Sequence, residues 1–448
     1  MSVSRRVYLC RVSLVLLCFL PTVLVGAWIV AGMASGFWLA DKGEWERVLT
    51  ERLGLVAQVD EVRYSRQGNA ELVGVRLLDA ESRNVVVEAG RVEVAGKADG
   101  WHISVDRPVI LGDRLNCLAR AVGQRILESR QKPSTVWIGP CNVLVRSKEQ
   151  EQSLERLGAE IRFSADQTEL KLSWQLPGAP SAGDLIRLAA TRDRSTASTV
   201  ARYRLDTGNQ AVPCWLAEAV VPELAGLGRE CQFRGTMEFW DAAGKAAGQL
   251  AGTLSQVDLD SLVTERFGHQ LSGLATVRIE RGLIEDGRLI ELRGTIRASG
   301  GAISRSLVQA AAEHLGLNAA DPAKGGGTDE NVAVRQLAIE YELSGAALRL
   351  RGAADAQQKD VLLMAASGPL LTSPPKHSVA AVALLRTLLP DREYQVPATR
   401  QTAALVRLFP VPDASSVRPS ETPIHTPTRL VPAPTQPAQT AIRQPVLR

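Results

Sequence analysis

The residues that could do chemistry in this 448-residue chain are few and scattered. Its five histidines show no HxxxH spacing, so the sequence predicts no metal site. Asp258 and Asp260 have the residue type of an acid–base pair, but a polar strand end followed by a helix N-cap explains both carboxylates. Lys324 precedes three glycines without the GxxxxGK[ST] order of a phosphate-binding loop. The sequence also has no GxSxG or HExxH motif, so we predict no catalytic residue, no cofactor and no enzymatic activity.

Cysteine usage indicates a second kind of chemistry. The chain has six cysteines, two at or in the N-terminal hydrophobic segment and four beyond it. Four cysteines in an oxidising compartment permit two disulfides. Closeness along the chain favours a Cys117–Cys141 pair and a Cys214–Cys231 pair. Unpaired buried thiols and a different connectivity are the alternatives, and the lack of CxxC spacing argues against a zinc or redox centre.

The composition disfavours one class of partner and describes the core. The formal net charge is only +4, and no basic block is interleaved with aromatic residues, so no nucleic-acid partner is predicted. Aromatic residues make up 4% of the chain, against 45% for all hydrophobic types, which predicts a core of aliphatic side chains. The length suffices for two or three domains of about 150 residues each.

The N-terminal segment decides the compartment of everything that follows it. Arg5, Arg6 and Arg11 precede residues 12–40, which contain no charged side chain. As a helix these residues would span about 43 Å, more than the roughly 30 Å hydrocarbon core of a bilayer. We therefore predict a cytoplasmic N-terminus at 1–11 and an uncleaved transmembrane signal-anchor at 12–40, with the rest of the chain exported. A cleaved signal peptide is the alternative, although its apolar region is normally shorter.

Aromatic residues mark the outer end of this segment. Trp28, Trp38 and Trp45 cluster there, and aromatic rings favour the headgroup region, so we predict them as membrane anchors. Residues 44–54 follow as a short amphipathic helix in which Trp45, Leu49 and Leu53 share a face. We expect this face to hold the first strands against the outer leaflet.

Strand-like alternation then fills an N-terminal β region at 44–110. In the run ELVGVRLLD, Val73, Val75 and Leu77 fall on one face, which we expect to face the interior. A mixed α/β middle region follows at 111–231. There the patterns predict a half-buried antiparallel strand at 168–176 and helices at 113–130, 181–192 and 214–227.

A glycine repeat distinguishes the region 232–370. The first four of its glycines are about 17 to 21 residues apart, which suits one pair of strands per repeat in a growing sheet. We expect the glycines to relieve crowding between strands. Each follows a large apolar residue and one spacer, and the apolar residues are Phe233, Leu250, Leu271, Leu292 and Leu343.

Further predictions concern single elements of this region. Around Gly294 the side chains of Ile290, Leu292 and Ile296 face one way. Helices are predicted at 257–267 and at 303–315, the second of which begins at Ser304 and ends at Gly316.

The composition shifts again at 391–448. Prolines are frequent there and apolar periodicity is lost, which predicts a disordered Pro-rich tail because such a segment cannot bury enough apolar surface. The tail is either a solvated appendage or an extended segment that reaches into the cell-wall layer or toward envelope protein partners.

Two stretches of the sequence resemble a known family. The segment LTERLGLVAQVDEVRYS, followed by GNAELVGVRLLDAESRNVVVEAGRVEV, is similar to the opening of AsmA-like proteins of the AsmA/TamB type. The later run GQLAGTLSQVDLDSLVTERFGHQLSGLATVRIERGLIEDGRLIELRGTIRASGGAISRSLVQAAAEHLGL is similar to their C-terminal region. The resemblance covers residues 40–95 and 232–352, and it consists of glycine and aliphatic patterns.

The resemblance implies a fold and a function. The expected fold class is mainly β with α (α+β), a long coiled and mostly antiparallel sheet with a few covering helices. Its apolar inner face would form a groove that carries lipid acyl chains in the periplasm, contributing to cell-envelope and outer-membrane biogenesis. The expected location is then the cell inner membrane, crossed once, with membrane lipids as partners. The lipid-facing candidates are Val73, Val75, Leu77, Ile290, Leu292 and Ile296.

The chain departs from the family in its length. We predict about 14 to 16 strands, which at about 4.8 Å each stack to roughly 70 Å, less than an envelope gap. Local lipid handling or a subunit role is therefore expected instead of autonomous bridging. The alternative function is a non-catalytic structural or assembly protein of the envelope, in which helices plug the sheet and its interior is fully packed.

Overall fold

The computed structural model describes residues 41–65, 69–97, 100–123, 133–179, 181, 183–195, 199–218, 221–242, 245–320, 331–354 and 360–389. The predicted signal-anchor at 12–40, with Trp28 and Trp38, lies outside these residues, as does the predicted tail at 391–448. Among the described residues, no helix is long and apolar enough to cross a bilayer.

The described part is mainly β structure with a few helices. The helices are α1 (Lys42–Leu53), α2 (Leu115–Val122), α3 (Trp215–Glu218), α4 (Arg305–Leu315) and α5 (Val382–Leu388), with 3-10 turns at Gly112–Arg114 and Pro222–Leu227 and a π-helical turn at Asp260–Thr264. The strands are β1 (Val56–Gln58), β2 (Glu61–Tyr64), β3 (Ala70–Leu78), β4 (Val85–Lys97), β5 (Gly100–Asp106), β6 (Val109–Leu111), β7 (Ser134–Arg146), β8 (Glu151–Phe163), β9 (Gln167–Gln175), β10 (Ile186–Asp193), β11 (Val200–Asp206), β12 (Val212–Pro213), β13 (Gln232–Ala242), β14 (Lys245–Asp258), β15 (Leu271–Ser272), β16 (Leu274–Glu285), β17 (Arg288–Ser299), β18 (Ala302–Ser304), β19 (Asn318–Ala319), β20 (Asn331–Ser344), β21 (Ala347–Gly352), β22 (Val361–Ala365), β23 (Gly368–Thr372) and β24 (Val379–Ala380).

The strands form one large mixed sheet in which neighbours along the chain are mostly neighbours in space. Among the described pairs, only β5–β7 and β6–β7 are parallel, and the other pairs are antiparallel. The sheet continues through the predicted region boundaries, because β6 pairs with β7 near residue 111 and β11 pairs with β13 across residue 231. All described residues belong to one compact unit.

Two helices follow from local sequence signals, and both predictions are confirmed. At the start of α1 the Asp41 carboxylate accepts the Glu44 N–H at 2.9 Å, and Gly54 ends the helix in the left-handed conformation. At the start of α4 the Ser304 hydroxyl accepts the Leu307 N–H, and Gly316 ends that helix in the same way. Capping of this kind depends on neighbouring residues alone, so the sequence suffices to predict it.

Other predicted helices were wrong in part or in whole. The segment predicted as a helix at 181–192 contains β10, where Leu188 lies between Leu172 and Leu205 of the flanking strands. Strand pairing on both sides overrides the helical propensity of this short stretch. The helix predicted at 214–227 is broken into α3 and a 3-10 turn, and within 257–267 the structure has only a five-residue π-helical turn.

The described residues form one long core and two smaller ones. The largest cluster of buried side chains extends from Trp45 in α1 to Ala298 in β17, so one face of the sheet is its interior. A second cluster packs α4 and α5 onto β22 and β23, with Leu307, Val308 and Leu363 buried in it. A third, small cluster joins Leu343 and Leu348.

Glycines allow aromatic rings to lie flat on this sheet. Trp101 lies opposite Gly96, Phe239 opposite Gly248 and Tyr341 opposite Gly294. A Cβ atom at any of these three glycines would lie under 3.0 Å from the ring facing it. Of these three glycines only Gly294 belongs to the glycine repeat, and there the expectation that the repeat glycines relieve crowding between strands is confirmed.

Candidate functional site: the apolar inner face of the sheet

The inner face carries an apolar row that crosses the sheet from strand to strand. Each member pairs directly with the next member on the neighbouring strand, so strand register alone defines the row. Gly282 is its only member without an apolar side chain. From β3 to β24 the row is Ala70, Val94, Ile103, Ile138, Ala159, Leu172, Leu188, Leu205, Met237, Leu250, Gly282, Leu292, Leu343, Leu348 and Val379.

The glycine repeat organises the second half of this row. Leu250, Leu292 and Leu343, each the apolar residue of a Leu-x-Gly unit, all lie in it. The glycines of the repeat lie two residues further along their strands, so Gly235, Gly252 and Gly294 share a second row with Ile279 and Tyr341. Two residues along a strand correspond to about 6.8 Å. The repeat therefore places an aliphatic ridge beside a row in which Gly252 and Gly294 lie under the Phe233 and Tyr341 rings.

Coverage of the inner face changes at β13. From β3 to β11 the members of the row are buried, and Leu205 has no exposed surface. Although Phe233 and Ile279 stay buried, other aliphatic and aromatic side chains of this face are only half-buried from β13 to β17. We call these side chains the apolar strip: Met237, Phe239, Leu250, Leu254, Val277, Leu292 and Ile296.

Both ends of the apolar strip meet covered parts of the structure. On the N-terminal side, α2 contributes Leu115 and Leu118 to the large core. On the C-terminal side, Leu343 and Leu348 are buried in the third cluster, and α4 packs against α5 over the second. The strip is thus an internal stretch of the inner face and not a frayed edge of the sheet.

The predicted lipid-facing residues of β3 lie elsewhere. Val75 and Leu77 are buried at 3% and 1% exposure in the large core, where the protein itself surrounds them. Val73 lies on the other face, because Gly74 adopts a φ of 64° and shifts the alternation by one residue. The prediction that these three residues share one lipid-facing surface was therefore wrong.

The predicted residues of β17 lie where a ligand could reach them. Leu292 and Ile296 belong to the apolar strip, with Leu292 opposite Leu343 and Ile296 opposite Ile339. Ile290 is half-buried near the start of the same strand. The sequence analysis missed the strip residues of β13 and β14, although the Leu-x-Gly repeat marks Leu250.

Trp45 does not have the predicted membrane-facing position. Its ring is 2% exposed in the large core, and its Nε1–H donates to the Tyr64 hydroxyl at 2.9 Å. Leu49 and Leu53 are buried beside it. The apolar face of α1 therefore packs onto the first strands of the sheet, since that contact removes the whole stripe from water.

The outer face of β16 and β17 carries charged side chains that form ion pairs. Arg281 meets Glu291 at 3.3 Å, and Arg293 meets Glu280 at 3.3 Å. These pairs are exposed to solvent, so each contributes little to stability. Their role is to keep one face of β16 and β17 in water while the other face stays apolar.

The acid–base candidates have structural positions. The Asp258 carboxylate accepts the Asp260 N–H at 3.0 Å and the Ser261 hydroxyl at 3.1 Å, so both of its oxygen atoms bind the first residues of the π-helical turn. His269 is buried with its Nδ1 2.9 Å from the Ser306 hydroxyl, and burial lowers its pKa. His314 lies on α4. Within the described ranges, no group of three or more His, Cys, Asp or Glu side chains is arranged to hold a metal ion.

The predicted cysteine pairs have different outcomes. Cys214 and Cys231 are both buried with their Sγ atoms 2.7 Å apart, whereas Cys117 and Cys141 are separate thiols. The Cys141 Sγ contacts the Leu157 carbonyl at 3.6 Å, and burial raises its pKa to about 11. The structure therefore brings together one of the two pairs and not the other.

A polar cavity of about 540 Å³ lies beside the 214–231 segment. The Trp215 ring and Gly112 line it, with charged side chains from Asp113, Glu218 and Arg229. Burial raises the pKa of Glu218, the Arg229 guanidinium opposes this shift, and the Glu149 and Asp113 carboxylates add to it. The sequence analysis missed this cavity because three separate segments of the chain form it.

No family model, no curated protein and no solved structure matches this chain.

Proposed function

We propose that this chain is an AsmA-like protein of the inner membrane whose exported sheet binds the acyl chains of membrane lipids along the apolar strip. The observation that supports the proposal most directly is the change of coverage at β13. There an apolar row that is buried across eight strands continues across β13, β14 and β17 with its side chains only half-buried. The predicted signal-anchor would place this surface next to a source of lipid.

The chemistry of the strip suits hydrocarbon. Its members are aliphatic or aromatic, and the ion pairs of β16 and β17 lie on the opposite face. Apolar surface removed from water stabilises a complex by about 25 cal/mol per Å², so an extended acyl chain along the strip gains favourable energy over its whole length.

The extent of the sheet favours a local role. Among the described residues, sixteen strands have five or more residues, but β21 and β22 share one side of β20, so these strands occupy fifteen successive positions. At about 4.8 Å each they stack to roughly 70 Å. We therefore propose lipid handling near the inner membrane, or a role as one subunit of a longer path, contributing to envelope biogenesis.

Photo-crosslinking tests this proposal. A benzophenone amino acid at Leu250 or Leu292, in protein purified from membranes, is expected to yield lipid adducts by mass spectrometry. The same probe at Arg297, on the outer face of β17, is the control. If the Leu250 and Leu292 probes label only protein and no lipid copurifies, lipid binding at the strip is refuted.

Two aspartate substitutions on opposite faces of β17 form a matched pair of variants that tests the same proposal. Leu292→Asp places a carboxylate on the strip, whereas Ser299→Asp adds the same charge to the outer face of the same strand. Copurified lipid should fall several-fold in the first variant and stay unchanged in the second. Equal lipid content in both would contradict the assignment of the strip.

A second candidate function is that of a structural or assembly protein of the envelope. The observation in its favour is the packing of α2, α4 and α5, which covers the sheet on both sides of the strip. Here the Pro-rich tail would recruit partners. A deletion of 391–448 that reproduces the phenotype of deleting the whole gene, with no lipid found at the strip, would favour this function over the first.

A further inference from the structure

The 214–231 segment closes on itself through its two end residues. Cys214 donates its backbone N–H to the Cys231 carbonyl at 2.8 Å. This bond continues the antiparallel register of β12 and β13, where Pro213 pairs with Gln232. Cα atoms paired in this way are about 4.5–5.5 Å apart, which lies within the range that a disulfide spans.

The side chains of the two cysteines point at each other in the protein interior. Their Sγ atoms are 2.7 Å apart, and both residues are buried, at 4% and 0% exposure. A hydrogen bond joins the two sulfur atoms, and it raises the pKa of Cys214 and lowers that of Cys231. Two sulfur atoms this close in an apolar core are arranged for a bond.

The other two described cysteines differ from the Cys214–Cys231 pair. Cys117 lies on α2 and Cys141 on β7, and the sulfur of Cys141 faces a carbonyl instead of a second thiol. Burial raises the pKa of both thiols. Low thiolate content and the lack of a nearby partner make each a poor candidate for oxidation.

We propose that Cys214 and Cys231 form a structural disulfide that clasps the 214–231 segment, while Cys117 and Cys141 stay reduced. One of the two thiolates attacks the disulfide of an exported thiol oxidase, giving a mixed disulfide and one oxidase thiolate. The other thiolate then displaces the oxidase, so the chain loses two protons and two electrons and the oxidase leaves as a dithiol. Because both sulfurs are buried in the folded chain, this exchange takes place before the segment packs.

The clasp has a defined structural consequence. Trp215 and Arg229, which line the 540 Å³ cavity, lie just inside the two cysteines. Arg229 also holds Glu149 of the opposite wall at 2.7 Å. A bond between the two ends of the segment therefore fixes both sides of the cavity wall. The inference needs an oxidising compartment and is independent of lipid binding.

Peptide mapping without reduction tests the bond. Protein isolated from cell envelopes is acid-quenched, alkylated with N-ethylmaleimide and digested with trypsin. Cleavage after Arg204, Arg229 and Arg234 puts Cys214 in the peptide 205–229 and Cys231 in 230–234. We expect these two peptides to be linked, with a mass two hydrogens below the sum of their masses. We also expect alkylated peptides 115–120 and 131–146, which carry Cys117 and Cys141. Alkylated 205–229 and 230–234 peptides, or a linked Cys117–Cys141 species, would overturn the proposal.

A second measurement compares the wild-type protein with itself, so its main result does not depend on how well a variant folds. Limited trypsin cleavage after Arg229 is followed in the wild-type protein before and after dithiothreitol treatment. Reduction should speed this cleavage by about 100-fold, the effect of releasing a loop of this length. With or without dithiothreitol, Cys214→Ser should be cleaved as fast as the wild-type protein is after reduction. Cys117→Ser should behave as wild type. An unchanged wild-type rate after reduction would show that no clasp exists.

Discussion

Substituting Gly294 by alanine tests the packing of aromatic rings over glycines on the inner face. A Cβ atom at this position would lie 1.9 Å from the Arg278 carbonyl oxygen and 2.6 Å from the Tyr341 hydroxyl. The Tyr341 hydroxyl donates to that same carbonyl at 3.1 Å, and the ring is buried. Gly294→Ala must therefore displace a neighbouring strand and a buried ring together.

The expected loss of stability follows from three contributions. Overpacking of a well-packed site costs about 1–3 kcal/mol, and loss of the tyrosine hydrogen bond costs about 1 kcal/mol. The reduced entropy of the unfolded chain offsets about 0.4–1 kcal/mol. We expect a net loss of about 2–3 kcal/mol, measured as a lower urea midpoint with an unchanged slope.

A second readout reports on Tyr341 itself. Burial raises the pKa of Tyr341 to about 12, so a ring expelled by Gly294→Ala should titrate closer to 10, the ordinary tyrosine pKa. Absorbance at alkaline pH measures this change, and Tyr341→Phe identifies the signal of this tyrosine.

The control is the same substitution at an open position. Gly123 follows α2 with helical backbone angles, and a Cβ atom there would meet no atom of the described residues within 4 Å. Gly123→Ala should raise the free energy of unfolding by about 0.4–1 kcal/mol. If Gly294→Ala unfolds at the same urea concentration as wild type, the close approach of strand and ring is not what requires glycine there.

Three further predictions concern single side chains. Trp45→Phe removes the Nε1–H bond to Tyr64 and should lower the free energy of unfolding by about 1–2 kcal/mol. If the Trp45 ring instead lay in a membrane, the substitution would leave the urea midpoint of the exported part, measured without detergent, unchanged. Ser304→Ala removes the N-cap of α4 and should cost about 1 kcal/mol in the same assay, whereas Ser304→Asp should retain most of the stability. Burial lowers the pKa of His269 below its ordinary value of 6.5, so the unfolded state takes up the proton first and stability should fall as the pH drops below that value. His269→Asn should flatten this part of the profile of Tm between pH 8 and 5, and an identical profile in the variant would assign the pH dependence to other groups.

Local signals predicted those elements whose formation depends on neighbouring residues. The alternation at 168–176 became β9, with Leu170, Leu172 and Trp174 buried, because a period of two places every second side chain on one face. The caps at Ser304 and Gly316 likewise delimit α4 as predicted. Such elements keep their form whatever lies opposite them.

Long-range pairing decided the elements that the sequence analysis missed. β10 was predicted as a helix, yet it lies between β9 and β11, which satisfy its backbone on both sides. The phase change at Gly74 moved Val73 to the outer face, because one residue with positive φ is enough to reverse an alternation. Cys214 and Cys231 meet because the register of β12 and β13 aligns them, while closeness along the chain alone did not bring Cys117 to Cys141.

The candidate site shows the same division. By itself the sequence determined that this is mainly a β protein, and its alternation determined that Leu292 and Ile296 share one face of their strand. Only the tertiary structure decided that Val75 and Leu77 are enclosed by protein while Leu250 and Leu292 stay only half-buried. The physical reason is that the direction of a side chain follows from its own strand, whereas its coverage depends on residues far away in the sequence that pack against it.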